Sequence, residues 1–196
     1  MLTLYYSPGS SSMAAHIALY EVGVPFEAKA ISLKNKEQKL PEYLAINPAG
    51  KVPALSIDGR VLTEVAGILF YLGKAYPAAK LLPDDAEAQG QAVSWMSFIA
   101  STLHPARAKG LEAALEAYRI ADRKLAGRDW VLGDYSVADI HLFRLYWRLI
   151  GSLPVPQGEL PALDAHYERM MRRPAVLKTI EAETAVGFDF PTARMV

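Results

Sequence analysis

NPAGKVPALSIDGRVLTEVAGILFY, Asn47 to Tyr71, is the stretch whose reading decides the fold. Val52–Ile57 and Arg60–Leu62 are two short extended runs. The Asp58-Gly59 pair between them is a hairpin turn signal, since a tight two-residue turn favours residues tolerant of positive φ. Glu64–Tyr76 then reads as a helix that Pro77 ends. Working back from the hairpin, a short helix is expected around Tyr43, after a lysine-rich stretch. Before that, Phe26–Leu33 reads as a strand, and Met13–Val22 as a helix with Gly23 as its C-cap. LTLYY, Leu2–Tyr6, reads as a buried strand running into the Ser10-Ser11-Ser12 loop. The order β-α-β-α-β-β-α predicts a mixed sheet with helices on both faces.

Working forward, strand signals stop at Ala86, and residues 77–86, with Pro77, Pro83 and Asp84-Asp85, read as a linker. Leu111, Ala114, Leu115, Tyr118 and Leu125 share one helix face. Val137–Ile150 is apolar except for a narrow stripe of His141, Arg144 and Arg148, which predicts a helix buried nearly all round. Ser136 and Asp139 form a capping box at its start. Pro161 and Pro174 sit where two further helices could begin.

The 196 residues are 52% hydrophobic and 21% charged, with 21 basic and 21 acidic side chains. This is a globular composition with a sizeable core. It carries no basic excess for nucleic acid. No apolar run approaches the ~18 residues of a membrane span. The opening MLTLYYSPGSSSMAAH lacks a signal peptide's basic segment and apolar core, so the expectation is a soluble, cytoplasmic protein. With no cysteine in the chain, disulfides, cysteine-ligated metals and a protein thiol nucleophile are excluded, and any thiol must arrive on a small molecule.

Three features carry chemistry. Pro53 cannot donate a ladder hydrogen bond and belongs at a strand start or edge. If the Val52-Pro53 bond is cis, the backbone of Val52 faces outward to pair with an extended peptide; an ordinary trans edge proline is the commoner case. Glu64 and the N–H of Val65 stand at a helix N-terminus, able to hold the ammonium and carboxylate of a free amino-acid end, or simply to complement the helix dipole. Ser10, Ser11 and Ser12 precede a helix, where hydroxyls and N–H groups would lower a thiol pKa from its usual ~8.5, or where one serine merely caps the helix.

The ordered set of the serine loop, NPAGKVPAL, LTE and SVAD resembles the cytosolic glutathione transferases over essentially the whole chain. YYSPGSSSMAAHIAL, YLAINPAGKVPAL and WMSFIASTLH are most similar to the bacterial beta class. The resemblance implies an α/β thioredoxin-like N-terminal domain over 1–76, a linker over 77–86, and an all-α C-terminal helical domain over 87–196. It implies that Val52, beside a cis Pro53, pairs with the cysteinyl part of glutathione, and that Glu64 and Val65 hold its γ-glutamyl end. Lys36 would lie near the glycyl carboxylate, and His104 on the sulfur side. Tyr6 and Ser12 fall in the same set.

Ser11 falls where the beta class has cysteine, and Ser10 where serine-type classes keep the catalytic hydroxyl. The thiol-contacting role belongs to one of these two, with Ser11 slightly favoured. Pro105 replaces a basic residue and Ser97 a common asparagine, which weakens the match on the helical side.

The implied reaction is attack of glutathione thiolate, acting as co-substrate, on a small hydrophobic electrophile in the interdomain cleft, a detoxification chemistry needing no metal or further cofactor. Ser97, Ala100, Ser101, His104 and Arg107, taken as one-turn neighbours on one helix face, would wall that cleft. Glutathione-dependent isomerase or peroxidase activity, and a non-catalytic scaffold, are the alternatives. A homodimer is implied through the helices from Glu64 and Glu87. The C-terminal AVGFDFPTARMV lacks helical periodicity and either covers the cleft or runs over the surface.

Overall fold

A computed structural model describes residues 1–187. The C-terminal stretch expected to cover the cleft therefore lies, from residue 188 onward, outside the described residues. Strand β1 (Leu2–Tyr6) is central, parallel to β2 (Phe26–Ala30) and antiparallel to β3 (Ala54–Ile57), which pairs with β4 (Arg60–Thr63). The sheet order is β2-β1-β3-β4, the mixed sheet expected from the sequence. Leu2, Leu4 and Tyr6 alternate into the core, whereas Tyr5 meets Tyr43 edge-on at 6.1 Å on the other face. Helix α2 (Pro41–Leu44) carries Tyr43 there. Helices α1 (Ser12–Val22) and α3 (Val65–Ala75) pack together on the core face.

Element ends differ from expectation for physical reasons. Strand β2 stops at Ala30, not Leu33, because its last partner is the carbonyl of Tyr6, which takes the Ile31 N–H at 2.7 Å where β1 ends. Strand β3 starts at Ala54, not Val52, because Pro53 has no N–H to donate. Helix α3 starts at Val65 because Glu64 holds φ 64° and ψ 130°, outside the helical region.

After a 3-10 turn at Pro77–Ala79 the chain is helical: α4 (Ala86–Phe98), a π turn (Ile99–Leu103), α5 (His104–Ala108), α6 (Leu111–Leu125), α7 (Val137–Ile150), α8 (Pro161–Met171) and α9 (Pro174–Ala185). Pro161 and Pro174 open their helices as expected. Helix α7 is buried at every position but Arg148 and packs against α1, α3, α4 and α8. Its capping box is formed, and Asp139 does more than cap. One carboxylate oxygen accepts the N–H of Val131 at 2.8 Å and lies 3.1 Å from His166 Nε2. The other accepts both the N–H and the hydroxyl of Ser136. Four donors satisfy a fully buried carboxylate, which removes most of its desolvation cost. Among the described residues no helix is long and apolar enough to cross a membrane.

Candidate active site

The sheet register gathers the expected residues at one end of the sheet. Tyr5 pairs with Ala54 and Ala54 with Thr63, so the loop after β1, the Val52-Pro53 step and the Glu64-Val65 step are neighbours. The Val52-Pro53 bond is cis, correcting the residue-only expectation of a trans bond. Among the described residues the Val52 N–H donates to no acceptor, and its carbonyl takes the Ser11 hydroxyl at 3.3 Å. Glu64 is exposed at the N-terminus of α3, and among the described residues its side chain makes no hydrogen bond. Its positive φ is a conformation costing about 1–3 kcal/mol for a non-glycine residue. Lys36 is exposed on the loop after β2, also with positive φ.

The three serines differ in what they can do. Ser12 is fully buried; its hydroxyl accepts the Ser7 N–H and donates to the Ser7 carbonyl, both at 3.0 Å. Its single proton is thereby used, so Ser10 must be the donor in the 2.7 Å contact between the Ser10 and Ser12 hydroxyls. Ser10 Oγ also accepts the Ser12 N–H at 3.2 Å, so it satisfies one of the free N–H groups at the start of α1, where the N-cap residue Ser11 makes no side-chain cap. Only the Ser11 hydroxyl has a single long contact. Ser12, expected to touch ligand, is instead an internal brace, because the turn aims it inward. Tyr6, 4% exposed, packs against His16 with centroids 4.9 Å apart, and burial raises its hydroxyl pKa.

Two residues absent from the expected set hold this loop. Arg144 of α7 donates from Nε to the Ser10 carbonyl at 2.9 Å and from a terminal nitrogen to the Gly9 carbonyl at 3.2 Å. Glu183 of α9, fully buried, accepts the Gly9 N–H at 2.7 Å and contacts His16 Nδ1 at 3.0 Å. Burial, then neighbouring Arg148, lowers the Arg144 pKa to about 10, still charged at neutral pH. Arg144 was visible in sequence as part of a polar stripe on an apolar helix. Glu183 gave no signal at all.

Beside the loop lies a cleft of about 830 Å³ that His104, Arg107, Arg144 and Arg148 line from the helical side. Burial, followed by Arg144, Arg107 and Lys51, lowers the His104 pKa, which favours the neutral ring. Ser97, Ala100 and Ser101 are exposed but do not line this cleft. The π turn at Ile99–Leu103 contains Ala100 and Ser101, and its wider turn shifts the helical phase of Ser97 relative to His104 and Arg107. A second cavity, about 910 Å³, lies between the end of α7 and α8 and holds none of the expected residues. Among the described residues no three His, Cys, Asp or Glu side chains are grouped to hold a metal.

A family model described as "Glutathione S-transferase, N-terminal domain" matches residues 1–74, and one described as "Glutathione S-transferase, C-terminal domain" matches residues 70–174. Glutathione S-transferase GST-4.5 of Xanthomonas campestris pv. campestris is 32% identical, covering 93% of this chain and 98% of its own. Two solved structures are similarly close. A sphingomonad glutathione S-transferase complexed with glutathione is 35% identical with a TM-score of 0.82, covering 93% of this chain and 98% of its own. The bacterial beta class glutathione S-transferase of Sphingomonas chungbukensis is 33% identical with a TM-score of 0.81, covering 92% of this chain and 98% of its own.

Proposed function

Because the chain belongs to the glutathione S-transferase family, we propose that it binds glutathione along the Val52-Pro53 edge and transfers the thiolate to small electrophiles. The observation that carries this reading is the pairing vacancy beside the serine loop: an unengaged Val52 N–H next to a Ser11 hydroxyl with one long, replaceable contact. The cysteinyl backbone of glutathione supplies the missing acceptor. Its sulfur then lies close to Ser11, which exchanges the Val52 carbonyl for the thiolate. The exposed Glu64 carboxylate takes the γ-glutamyl ammonium, the Val65 N–H its carboxylate, and Lys36 the glycyl carboxylate. Ser10 is committed to Ser12, which makes Ser11 the hydroxyl we assign to sulfur; this serine stands in place of the beta-class cysteine.

A hydroxyl and a helix N-terminus stabilise thiolate over thiol, and each unit of lowered pKa raises the reactive fraction up to about tenfold at neutral pH. With an aryl halide, the sulfur lone pair forms the C–S bond, halide leaves with the C–halogen pair, and the thiol proton goes to solvent. Neutral His104 flanks the sulfur side from the helical domain. Residues 1–76 form the glutathione-binding unit in this proposal, 77–86 the linker and 87–196 the electrophile-binding unit. Two copies associate through α3 and α4, where Val93 is exposed.

Calorimetric titration with glutathione, followed by conjugation of 1-chloro-2,4-dinitrobenzene, tests the proposal. The expected outcome is saturable micromolar-to-millimolar binding and product formation. Absence of heat at millimolar glutathione would sink it.

A further inference from the structure

The cleft is electrostatically one-sided. Arg107, Arg144 and Arg148 line it from α5 and α7, and Lys34 faces them from the loop after β2. Among the described residues Glu37 is the one acidic side chain in the lining, and its carboxylate accepts the Ser32 N–H at 2.7 Å. Glu183 lies behind the loop with both oxygens engaged by Gly9 and His16. His104, neutral, adds no compensating charge.

The arginines are not equivalent. Arg144 is buried and occupied with the Gly9 and Ser10 carbonyls. Arg107 and Arg148 are half-buried and, among the described residues, form no ion pair. Among the described residues the Arg107 side chain makes one hydrogen bond, to the Ser152 hydroxyl at a long 3.5 Å. The two arginines line the same cleft, and Ser152 joins them: its hydroxyl, reached by Arg107, donates to the Arg148 carbonyl at 2.6 Å, while burial and then Arg107 lower the Arg148 pKa. Holding like charges together in a half-buried wall is unfavourable unless an anion joins them. A planar guanidinium pair is suited to a carboxylate, which it engages through paired N–H donors.

From this we infer that Arg107 and Arg148 form an anion subsite for the second substrate, which selects electrophiles bearing a carboxylate. The inference deepens the glutathione transferase reading and rests on it for the identity of the nucleophile. The subsite itself does not depend on glutathione. Arg148 belongs to the rigid, buried α7 and Arg107 to α5 just beyond the π turn, so the carboxylate docks on the helical wall, opposite the edge proposed for glutathione. The reactive carbon of the electrophile is then aimed from this anchor toward Ser11.

The test compares matched ligands, 3,5-dinitrobenzoate and 3,5-dinitrobenzamide, by calorimetry with and without saturating glutathione. Conjugation of 4-chloro-3,5-dinitrobenzoate and its amide is measured alongside. The wild type should prefer acid over amide by about tenfold or more in both Kd and kcat/KM, with the preference shrinking in high salt. Arg148→Met and Arg107→Met should each bring the ratio to within about threefold, while the glutathione Kd changes by less than about twofold. Equal affinity of the wild type for acid and amide overturns the inference. So does an acid preference that survives both substitutions, or an Arg148→Met variant whose main loss is in glutathione affinity. Acid preference without glutathione binding would uphold the subsite and refute the transferase reading instead.

Discussion

Replacing Arg144 with methionine removes the clamp on the serine loop while keeping most of the side-chain volume. Two hydrogen bonds from a charged donor are lost, each contributing about 1.5–3 kcal/mol; the Gly9 carbonyl is left without a donor among the described residues, whereas the Ser10 carbonyl keeps the Met13 N–H at 3.1 Å. Against this stands relief of the buried guanidinium, whose pKa of about 10 against an ordinary 12.5 corresponds to roughly 3 kcal/mol already borne by the charged form. The balance is a loss of about 2 kcal/mol, or roughly 4–8 °C in Tm for a chain of this size. A general loss of packing would give the same melt, so a second readout is needed. If Arg144 positions the loop, Ser11 drifts and the pKa of bound glutathione rises by about one unit. The pH profile of conjugation then moves to higher pH by that amount. Arg144→Lys, able to reach one carbonyl, should recover part of both effects. An Arg144→Met protein that melts within about 1 °C of wild type, or melts lower with an unmoved pH profile, refutes the positioning role.

Three further outcomes follow from the same structure. Ser11→Ala should raise the bound thiol pKa and cut conjugation at neutral pH about tenfold with little change in Tm, whereas Ser10→Ala should cost about 1 kcal/mol through the lost acceptor for the Ser12 N–H and leave the thiol pKa nearly unmoved; ultraviolet thiolate titration and thermal melts separate the two. Burial, with Arg144 and His104 nearby, lowers the His141 pKa from 6.5 to about 3, so between those values the unfolded chain binds the extra proton and stability falls as pH drops. His141→Leu should therefore lose about 3 kcal/mol less than wild type between pH 7 and pH 4 in urea unfolding. Asp139→Ala strands the Val131 and Ser136 N–H groups and should lower Tm by 10 °C or more in scanning calorimetry, with the His141→Leu melt at pH 7 as the control for a general α7 defect.

The elements read correctly from sequence are those whose cause is local. Asp58-Gly59 dictates its turn, Gly23 its helix end, Pro161 and Pro174 their helix starts, and Ser136 with Asp139 the cap of α7. The errors fall where distant partners decide. Strand β2 ends where β1 runs out of carbonyls, and no signal in Phe26–Leu33 marks that point. The π turn that contains Ser101 breaks the phase between Ser97 and His104, and nothing in IASTL departs from ordinary helix periodicity. Three consecutive serines are chemically identical in sequence, and only the turn that aims Ser12 inward distinguishes them. Arg144 meets the loop across 134 and 135 residues of chain and Glu183 across 174, separations that no periodic pattern encodes.

That last separation sets an order of events during synthesis. The whole sheet has left the ribosome soon after residue 63, yet the Gly9 amide then has no carboxylate to meet and its neighbouring carbonyls no guanidinium. Helix α7 must emerge to supply one half of the brace and α9, the last described helix, to supply the other. A nascent chain arrested before residue 183 thus holds the β3 edge without a braced serine loop beside it. The loop is braced only once α9 has joined the sheet and α7.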